Sequence, residues 1–455
     1  MAMAVMVLTA ILPAHPWPCF QGDARHIGRS ELAVGDSLWV AWTFDAPDEV
    51  SGSAAVNRSG QVLFGARNVH LYCLNPDGSL AWDANLESLG TSIYYSTPAL
   101  DEEGNAYITT NRRLVKVDPT GTVVWRYPAH AAWSISHSPV IGADGRIYFS
   151  SYADSLCAVR PDGILDWAHH IELDCNSVPA VGDDGRVYVA TTRGTGGWKL
   201  WAFEPGGEVA WTFGLDAGVE FSSPTVGPDS TIYVGAGRYF YAIRPDGSLR
   251  RRDSLPATIN SSPAVADDTT LYLTAGVYLY SMSTETGIRW RKHLGGTNYS
   301  SPAVDADGRV FVGSTPTTDP AFYVIAPDSS VLWSMTTAGR IWASPAIGSS
   351  GRVYVGCMNG TFYAFEGPGL AAAEPSVPVV RAGLSAVPSP TTGRVRLAGW
   401  PSIEAVRVRV FDPAGRSVAV RRAGSELDLG GLPAGVYLVE VRDRESVAVV
   451  RVSKQ

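Results

Sequence analysis

The chain has 455 residues, too many for one ordinary compact core, so it consists of several domains or of repeats. Its 45% hydrophobic and 18% charged residues are typical of a folded protein and exclude a largely disordered one. The net charge of −8 argues against nucleic acid as a partner. The charge is uneven, because residues 384–455 carry 11 basic and 7 acidic side chains while the remainder carries 25 basic and 37 acidic ones.

Residues 1–15 are predicted to be an export signal. Met1 to Ala14 is apolar and ends in a Leu-Pro-Ala sequence, although it lacks the basic start of a usual secretory signal. A buried strand is the alternative interpretation. No other stretch approaches the ~18 consecutive apolar residues of a membrane-spanning helix, so no membrane span is predicted.

Residues 16–366 contain one repeated unit. A small or polar pair followed by proline and Ala, Val or Thr recurs at intervals of 39 to 45 residues, around Pro98, Pro139, Pro179, Pro224, Pro263, Pro302 and Pro345. Each copy continues with an Asp/Gly turn, two β-rich runs, a second turn such as Asn75-Pro76-Asp77-Gly78, and a strand that usually ends in Trp. Four short strands in about 40 residues are typical of one β-propeller blade.

The count of copies predicts an eight-bladed β-propeller closed by its own N-terminal strand. A degenerate first copy reads Ser53-Ala54-Ala55-Val56, with Ala55 in the place of proline. The last copy stops after Phe365 without a fourth strand, and the missing strand stands at Ser37 to Trp42, before the first copy. Because an open ring leaves two exposed sheet edges, we expect this N-terminal strand to complete the last blade.

The repeat resembles the PQQ-like (quinoprotein-type) propeller repeat of quinoprotein alcohol dehydrogenases and of the outer-membrane assembly lipoprotein. The resemblance covers roughly residues 17–366 and is informative about fold rather than function. In the quinoprotein enzymes it implies an adjacent Cys-Cys disulfide over the quinone, a tryptophan floor, a Ca²⁺ site and a catalytic Asp. This chain has no Cys-Cys pair, so no cofactor is predicted.

The C-terminal region has a different pattern. Residues 367–383 form a Pro/Ala/Gly linker, and residues 384–455 are predicted to form a small β-sandwich because segments such as Val406–Phe411 alternate strictly. This tail resembles the type A C-terminal sorting domain of the type IX secretion system at Pro388-Ser389-Pro390 and at Leu432–Tyr437. The resemblance implies that secretion machinery binds the tail and that the protein is secreted or on the surface of a Gram-negative bacterium. An ordinary adhesion-like sandwich is the alternative.

No catalytic residues and no metal site are predicted. The five cysteines include no CxxC pair, and no serine lies in a G-x-S-x-G elbow. His169 and His170 are neighbours that point to opposite faces of a strand. The Asp-Gly sequences stand between two strands of each copy and are best explained as hairpin turns.

The candidate ligand-binding residues stand two or three positions before each proline, at the rim of the central channel. They are Tyr95, His137, Asn176, Phe221, Asn260, Tyr299 and Trp342. Aromatic and amide groups at a rim could stack on and hydrogen-bond a sugar, a peptide or a flat cofactor. The alternative is that these side chains only pack the channel.

The sequence therefore favours a monomeric, non-enzymatic propeller that binds an unidentified protein or glycan through one loop face. A degenerate quinoprotein oxidoreductase is the first alternative. A structural or assembly scaffold of the cell envelope is the second.

Overall fold

The computed structural model describes residues 15–87, 92–128, 137–151, 155–171, 175, 177–192, 197–316 and 318–367, and beyond them the strands given below and Leu429. The chain divides into two compact units, Met1–Ala372 and Ala373–Gln455. All regular elements in the described residues are β-strands. That part of the chain therefore contains no helix able to span a bilayer.

The first unit contains eight four-stranded sheets, which are the blades of a propeller. The first strand is β1 (Trp39–Asp45). Blade 1 comprises β2 (Ala55–Val56), β3 (Val62–Gly65), β4 (His70–Leu74) and β5 (Leu80–Asn85). Blade 2 comprises β6 (Ala99–Leu100), β7 (Ala106–Thr109), β8 (Arg113–Val117) and β9 (Val123–Pro128). Blade 3 comprises β10 (Val140–Ile141), β11 (Ile147–Ser151), β12 (Ser155–Val159) and β13 (Leu165–His170).

The remaining blades follow the same order. Blade 4 comprises β14 (Ala180–Val181), β15 (Val187–Ala190), β16 (Lys199–Phe203) and β17 (Val209–Gly214). Blade 5 comprises β18 (Thr225–Val226), β19 (Ile232–Ala236), β20 (Tyr239–Ile243) and β21 (Leu249–Ser254). Blade 6 comprises β22 (Ala264–Asp267), β23 (Thr270–Ala275), β24 (Tyr278–Ser283) and β25 (Gly287–His293). Blade 7 comprises β26 (Ala303–Val304), β27 (Val310–Gly313), β28 (Ala321–Ile325) and β29 (Val331–Thr336), and blade 8 begins with β30 (Ala346–Ile347), β31 (Val353–Gly356) and β32 (Thr361–Glu366).

Blade 8 is completed by the N-terminal strand, as the sequence predicts. β1 pairs antiparallel with β32, from Trp39 opposite Glu366 to Asp45 opposite Thr361. The strand order β1-β32-β31-β30 places β1 at the outer edge of the blade. The prediction of an all-β, eight-bladed propeller closed by the N-terminal strand is confirmed.

Burial separates the strands of each blade. The second strands are buried throughout, as in β7 and β27, because they lie between the sheets of neighbouring blades. The fourth strands alternate between exposed and half-buried residues, as in β29. This alternation is typical of a strand with one face on the core and one in water.

The position of the first repeat was predicted one residue too far along the chain. Ala55 pairs with Leu63 in blade 1 as Ala99 pairs with Tyr107 in blade 2, so Ala55 is equivalent to the residue after the proline. The proline position is therefore occupied by Ala54. Sequence alone did not distinguish them, because two consecutive alanines fit the pattern in either register.

Six of the fourth-strand tryptophans join one blade to the next. Their indole N–H groups donate at 2.8–3.0 Å to the carbonyl of a proline in the next blade's turn, which reads Pro-x-Gly except at Pro327-Asp328-Ser329. The glycine of that turn lies against the indole, and a Cβ on Gly247 would stand 2.8 Å from Cδ2 of Trp211. Gly247 also has a φ of 84°, which favours glycine. The tryptophans thus have a structural role.

The fourth strand of blade 5 lacks tryptophan, and an arginine connects this blade to blade 6 instead. Arg251 stands opposite Ala242, the position that Trp211 takes opposite Ala202 in blade 4. Its Nη1 donates to the carbonyl of Ser283 in blade 6 at 2.9 Å. The guanidinium therefore replaces the indole as the donor to the next blade.

Residues 15–34, here called the N-terminal plug, cross one end of the central channel. Plug carbonyls accept hydrogen bonds from the second residue of several first strands, at 2.7–2.9 Å; the acceptors are Trp17, Pro18, Ala24, Arg25, Ile27 and Gly28, and the donors are Val56, Leu100, Val181, Val226, Val265 and Val304. Trp17, Gln21 and His26 are each at most 1% exposed. The plug thus ties together blades 1, 2, 4, 5, 6 and 7.

The second unit contains two sheets. One has the order β33-β41-β40-β36-β37 and the other the order β34-β35-β39-β38. Their strands are β33 (Val379–Val380), β34 (Ser385–Val387), β35 (Arg394–Ala398), β36 (Arg407–Phe411), β37 (Ser417–Val418), β38 (Arg421–Ala423), β39 (Glu426–Asp428), β40 (Gly435–Arg442) and β41 (Ser446–Lys454). The motif residues Pro388, Ser389, Pro390 and Leu432 lie outside the described residues.

Candidate functional site at the channel mouth

In most copies the residue before the proline position carries a hydroxyl group. Together these hydroxyl groups form a ring around the channel. Backbone N–H groups of one blade donate to the hydroxyl of the next blade at 2.8–3.1 Å; the accepting residues are Ser53, Ser138, Ser223, Ser262, Ser301 and Ser344. We call these six the serine ring. The bond from Ser344 to Ser53 crosses from the last blade to the first. Val178 has no hydroxyl at this position in blade 4.

A second set of serines, one position earlier, acts within blades. Ser222 and Ser300 accept from the backbone N–H groups of Gly235 and Gly313, which lie 13 residues further along in the second strand. These bonds fix the start of the first strand against the end of the second. The loops that carry the candidate site residues are therefore held at their base.

Four of the predicted site residues meet over the channel axis. Trp342 stacks with Tyr299 at a ring-centroid distance of 4.4 Å and with Tyr95 at 5.5 Å. Phe221 packs edge-to-face on Tyr299 at 4.9 Å. Such offset-stacked and edge-on arrangements are favourable for aromatic rings. We call these four residues, from blades 2, 5, 7 and 8, the aromatic cluster.

The other predicted residues are distributed differently. His137 is 7% exposed and lines the same cavity as the aromatic cluster. Asn260 is buried at the equivalent position of blade 6, but it is not among the residues that line that cavity. Asn176 lies outside the described residues. The structure thus brings five of the seven candidates to one place.

Two features of the aromatic cluster are unusual for packing residues. Tyr95 has a φ of 52°, a left-handed conformation that is rare for a bulky side chain and suggests a local constraint. Nε1 of Trp342 is buried and has no hydrogen-bond partner in the described part of the chain. Buried indole N–H groups usually find a partner.

The cavity below the aromatic cluster is small. Its volume is about 60 Å³, and the side chain of Phe20 from the N-terminal plug lines it from the opposite end. Phe20 packs edge-on against the imidazole of His26 at 5.2 Å. Sites for small organic ligands measure roughly 300–1,000 Å³, so this cavity is too small for a flat cofactor.

Burial leaves the titratable groups of the site poorly suited to catalysis. It lowers the pKa values of His137 and His26 to about 4, so both imidazoles are neutral at neutral pH. Nδ1 of His26 lies 3.0 Å from the carbonyl oxygen of Pro224, to which it donates in the neutral form.

The cysteines are equally unreactive. All five are buried. Burial raises the pKa of the thiols of Cys73, Cys157 and Cys357 to about 12, so almost no thiolate is present at neutral pH. Within the described residues, no group of three or more His, Cys, Asp or Glu side chains is placed to hold a metal ion.

Comparison with known proteins identifies one family. The model of a family described as outer membrane protein assembly factor BamB matches residues 30–195 and 195–297. The structure of BamB from Moraxella catarrhalis is similar, with a TM-score of 0.60 and 16% sequence identity over 72% of this chain and 99% of that chain. At this identity the likeness shows the fold alone. No curated protein matches the chain.

Two further structures match with lower scores. Virginiamycin B lyase from Staphylococcus aureus matches with a TM-score of 0.49 and 12% identity, over 72% of this chain and 99% of that chain. A europium-containing methanol dehydrogenase matches with a TM-score of 0.46 and 12% identity, over 77% of this chain and 98% of that chain. Neither likeness is close enough to bear on function.

Proposed function

Because the chain belongs to the PQQ-like propeller family described as outer membrane protein assembly factor BamB, we propose that it is a non-enzymatic propeller of the cell envelope that docks a protein partner. The aromatic cluster at the channel mouth is the proposed docking site. The observation that carries this proposal is the filled channel, with four aromatic rings at one end, the plug at the other, and about 60 Å³ between them.

The rings are suited to contact a partner. Tyr95, Phe221, Tyr299 and Trp342 are each half-buried, so part of every ring remains accessible at the mouth. Tyrosine and tryptophan dominate the binding energy of many protein interfaces. The ring positions are held by the serine ring and by mutual stacking, so little conformational entropy is lost on docking.

Site-specific photo-cross-linking in intact cells tests the docking site. A photoreactive phenylalanine analogue replaces Phe221 at the mouth, and the control position is Asp307, in the turn at the far end of a first strand of blade 7. We expect a discrete protein adduct from position 221 and none from position 307. Equal adducts from both positions, or none from 221, would contradict the proposal.

Cross-linking together with two binding measurements distinguishes the alternatives. Glycan binding without a protein adduct would favour a glycan-binding propeller. A rise in melting temperature with pyrroloquinoline quinone and Ca²⁺ would favour the oxidoreductase, because a ligand at ~100 times its Kd adds about 2.7 kcal/mol to folding stability. Adducts spread over the blades, with none concentrated at the mouth, would favour a structural scaffold.

We also propose that residues 384–455 direct export through a type IX-like secretion machinery. The basic tail is a compact unit separate from the acidic propeller, as a removable sorting domain would be. Deleting the tail should abolish surface exposure, measured by protease accessibility on whole cells, and should leave the melting temperature of the propeller unchanged. Undiminished surface exposure of the truncated protein would contradict this role.

A further inference from the structure

The cavity under the aromatic cluster is lined mainly by groups able to donate hydrogen bonds. Four members of the serine ring line it, and they are Ser53, Ser223, Ser301 and Ser344. Each is at most 5% exposed. Each hydroxyl oxygen already accepts a backbone N–H, and within the described residues none of the four hydroxyls donates a bond. Their protons are therefore free to point into the cavity.

A fifth hydrogen-bond donor comes from the aromatic cluster at the channel mouth. Trp342 lines the same cavity, and its buried Nε1 has no acceptor in the described part of the chain. A buried donor without an acceptor costs about 1–3 kcal/mol, so a missing acceptor is expected here. An indole N–H can donate but cannot accept.

Among the described residues that line the cavity, none carries a negative charge. The residues that line the cavity include no aspartate and no glutamate, and the remaining members are Phe20, Ser51, Tyr95, His137, Val178, Phe221 and Tyr299. A ring of neutral donors with no carboxylate is the environment that stabilises an anion, because hydrogen bonds to a charged acceptor are stronger than those to a neutral one.

The volume limits the size of the anion. About 60 Å³ corresponds to roughly four water molecules. This space accommodates a monatomic anion with some water, but it is too small for an organic carboxylate or a phosphate ester.

We propose that the channel cavity binds a halide ion, coordinated by the indole N–H of Trp342 and the hydroxyls of the serine ring. The ion contacts blades 1, 5, 7 and 8, which lie on different sides of the channel and include both blades at the closure. It therefore stabilises the closed ring in addition to β1 and the N-terminal plug.

Halide-dependent thermal unfolding of the full chain tests this site. The melting temperature is measured in sodium bromide and sodium gluconate at constant ionic strength. We expect a saturable rise with bromide, and the variant Trp342→Phe, which keeps a ring and loses the donor, should weaken the apparent affinity at least 10-fold. General salt effects act on both proteins alike, so the difference between them reports the site.

Ser262→Ala is the matched control. Ser262 belongs to the serine ring but is not among the residues lining the cavity, so its loss should lower stability without changing the bromide dependence. Anomalous diffraction from bromide-soaked crystals should show a peak between Trp342 and Ser301. Equal bromide dependence of the wild type and Trp342→Phe, water alone in the cavity, or bromide binding only at crystal concentrations would overturn the proposal.

Discussion

The tryptophan within most fourth strands shows how one side chain can serve two purposes. Its ring covers the glycine of the next blade's turn, and its N–H satisfies a carbonyl that the turn leaves unpaired. Arg251 does the same in blade 5, because its guanidinium donates to the carbonyl of Ser283 and lies against Gly287 of the blade 6 turn. The connection between neighbouring blades therefore does not require tryptophan.

Trp211→Phe isolates the hydrogen bond from the packing. The phenyl ring still covers Gly247, but the bond to the carbonyl of Pro245 is lost, so we expect a destabilisation of about 1 kcal/mol in urea unfolding. Trp333→Phe is the control, because the Trp333 indole N–H makes no such bond in the described structure and packs on Phe365 instead. An equal loss in both variants would mean that ring size, not the bond, decides.

The candidate site was predictable residue by residue but not as a cluster. The spacing before each proline placed the side chains of Tyr95, Phe221, Tyr299 and Trp342 at the channel. Their contact with one another depends on the ring's curvature, which brings blades 2, 5, 7 and 8 to one axis, and no local pattern encodes that distance. The lack of a hydrogen-bond acceptor for Nε1 of Trp342 among the described residues is likewise a property of the packed site.

At the level of elements, the two N-terminal segments differ in how well sequence predicted them. β1 was predicted because its Trp42 matches the tryptophan of the other fourth strands and because the strand fills a gap in the count. The N-terminal plug was missed because it uses its backbone carbonyls as acceptors, and any sequence carries those. Four residues of the plug have left-handed backbone conformations, and they are Gln21, Gly22, His26 and Gly28. Only the two glycines among them are a local signal that the sequence shows.

The plug makes stability depend on pH through His26. Its folded pKa of about 4 lies below the ordinary value of 6.5, so the unfolded chain binds a proton more readily. Stability is therefore full above pH 6.5 and falls as pH decreases towards 4, by up to about 3 kcal/mol for this residue. Urea unfolding at a series of pH values measures the slope.

His26→Asn should flatten part of that slope, because asparagine tolerates the left-handed backbone of this position and carries no proton in the range. His137, whose folded pKa is also about 4, contributes to the remaining slope. His70→Asn serves as the control, since His70 is only half-buried beside Asp83 at the surface. A pH profile unchanged by His26→Asn would show that the plug does not hold this imidazole neutral.

For the whole molecule, a repeat is the easiest kind of fold to predict. Seven prolines at regular intervals and the tryptophans between them were enough for the number of blades and the mode of closure. The one error of register fell in blade 1, where Ala54 replaces proline. Contacts among distant blades, such as those of the plug and the serine ring, could not be predicted, because each joins residues with no common local pattern.

The plug also has a consequence for the order of events when the chain folds. The carbonyl of Trp17 accepts a hydrogen bond from Val56 and that of Gly28 accepts one from Val304. Trp39 pairs with Glu366 in the last strand of the propeller. Gly28 and Trp39 thus reach their final partners only after nearly the whole propeller has left the ribosome. Such long-range closure slows folding. A chain that is still being made or exported would therefore remain an open ring, able to pass through a narrow pore, until its last blade is complete.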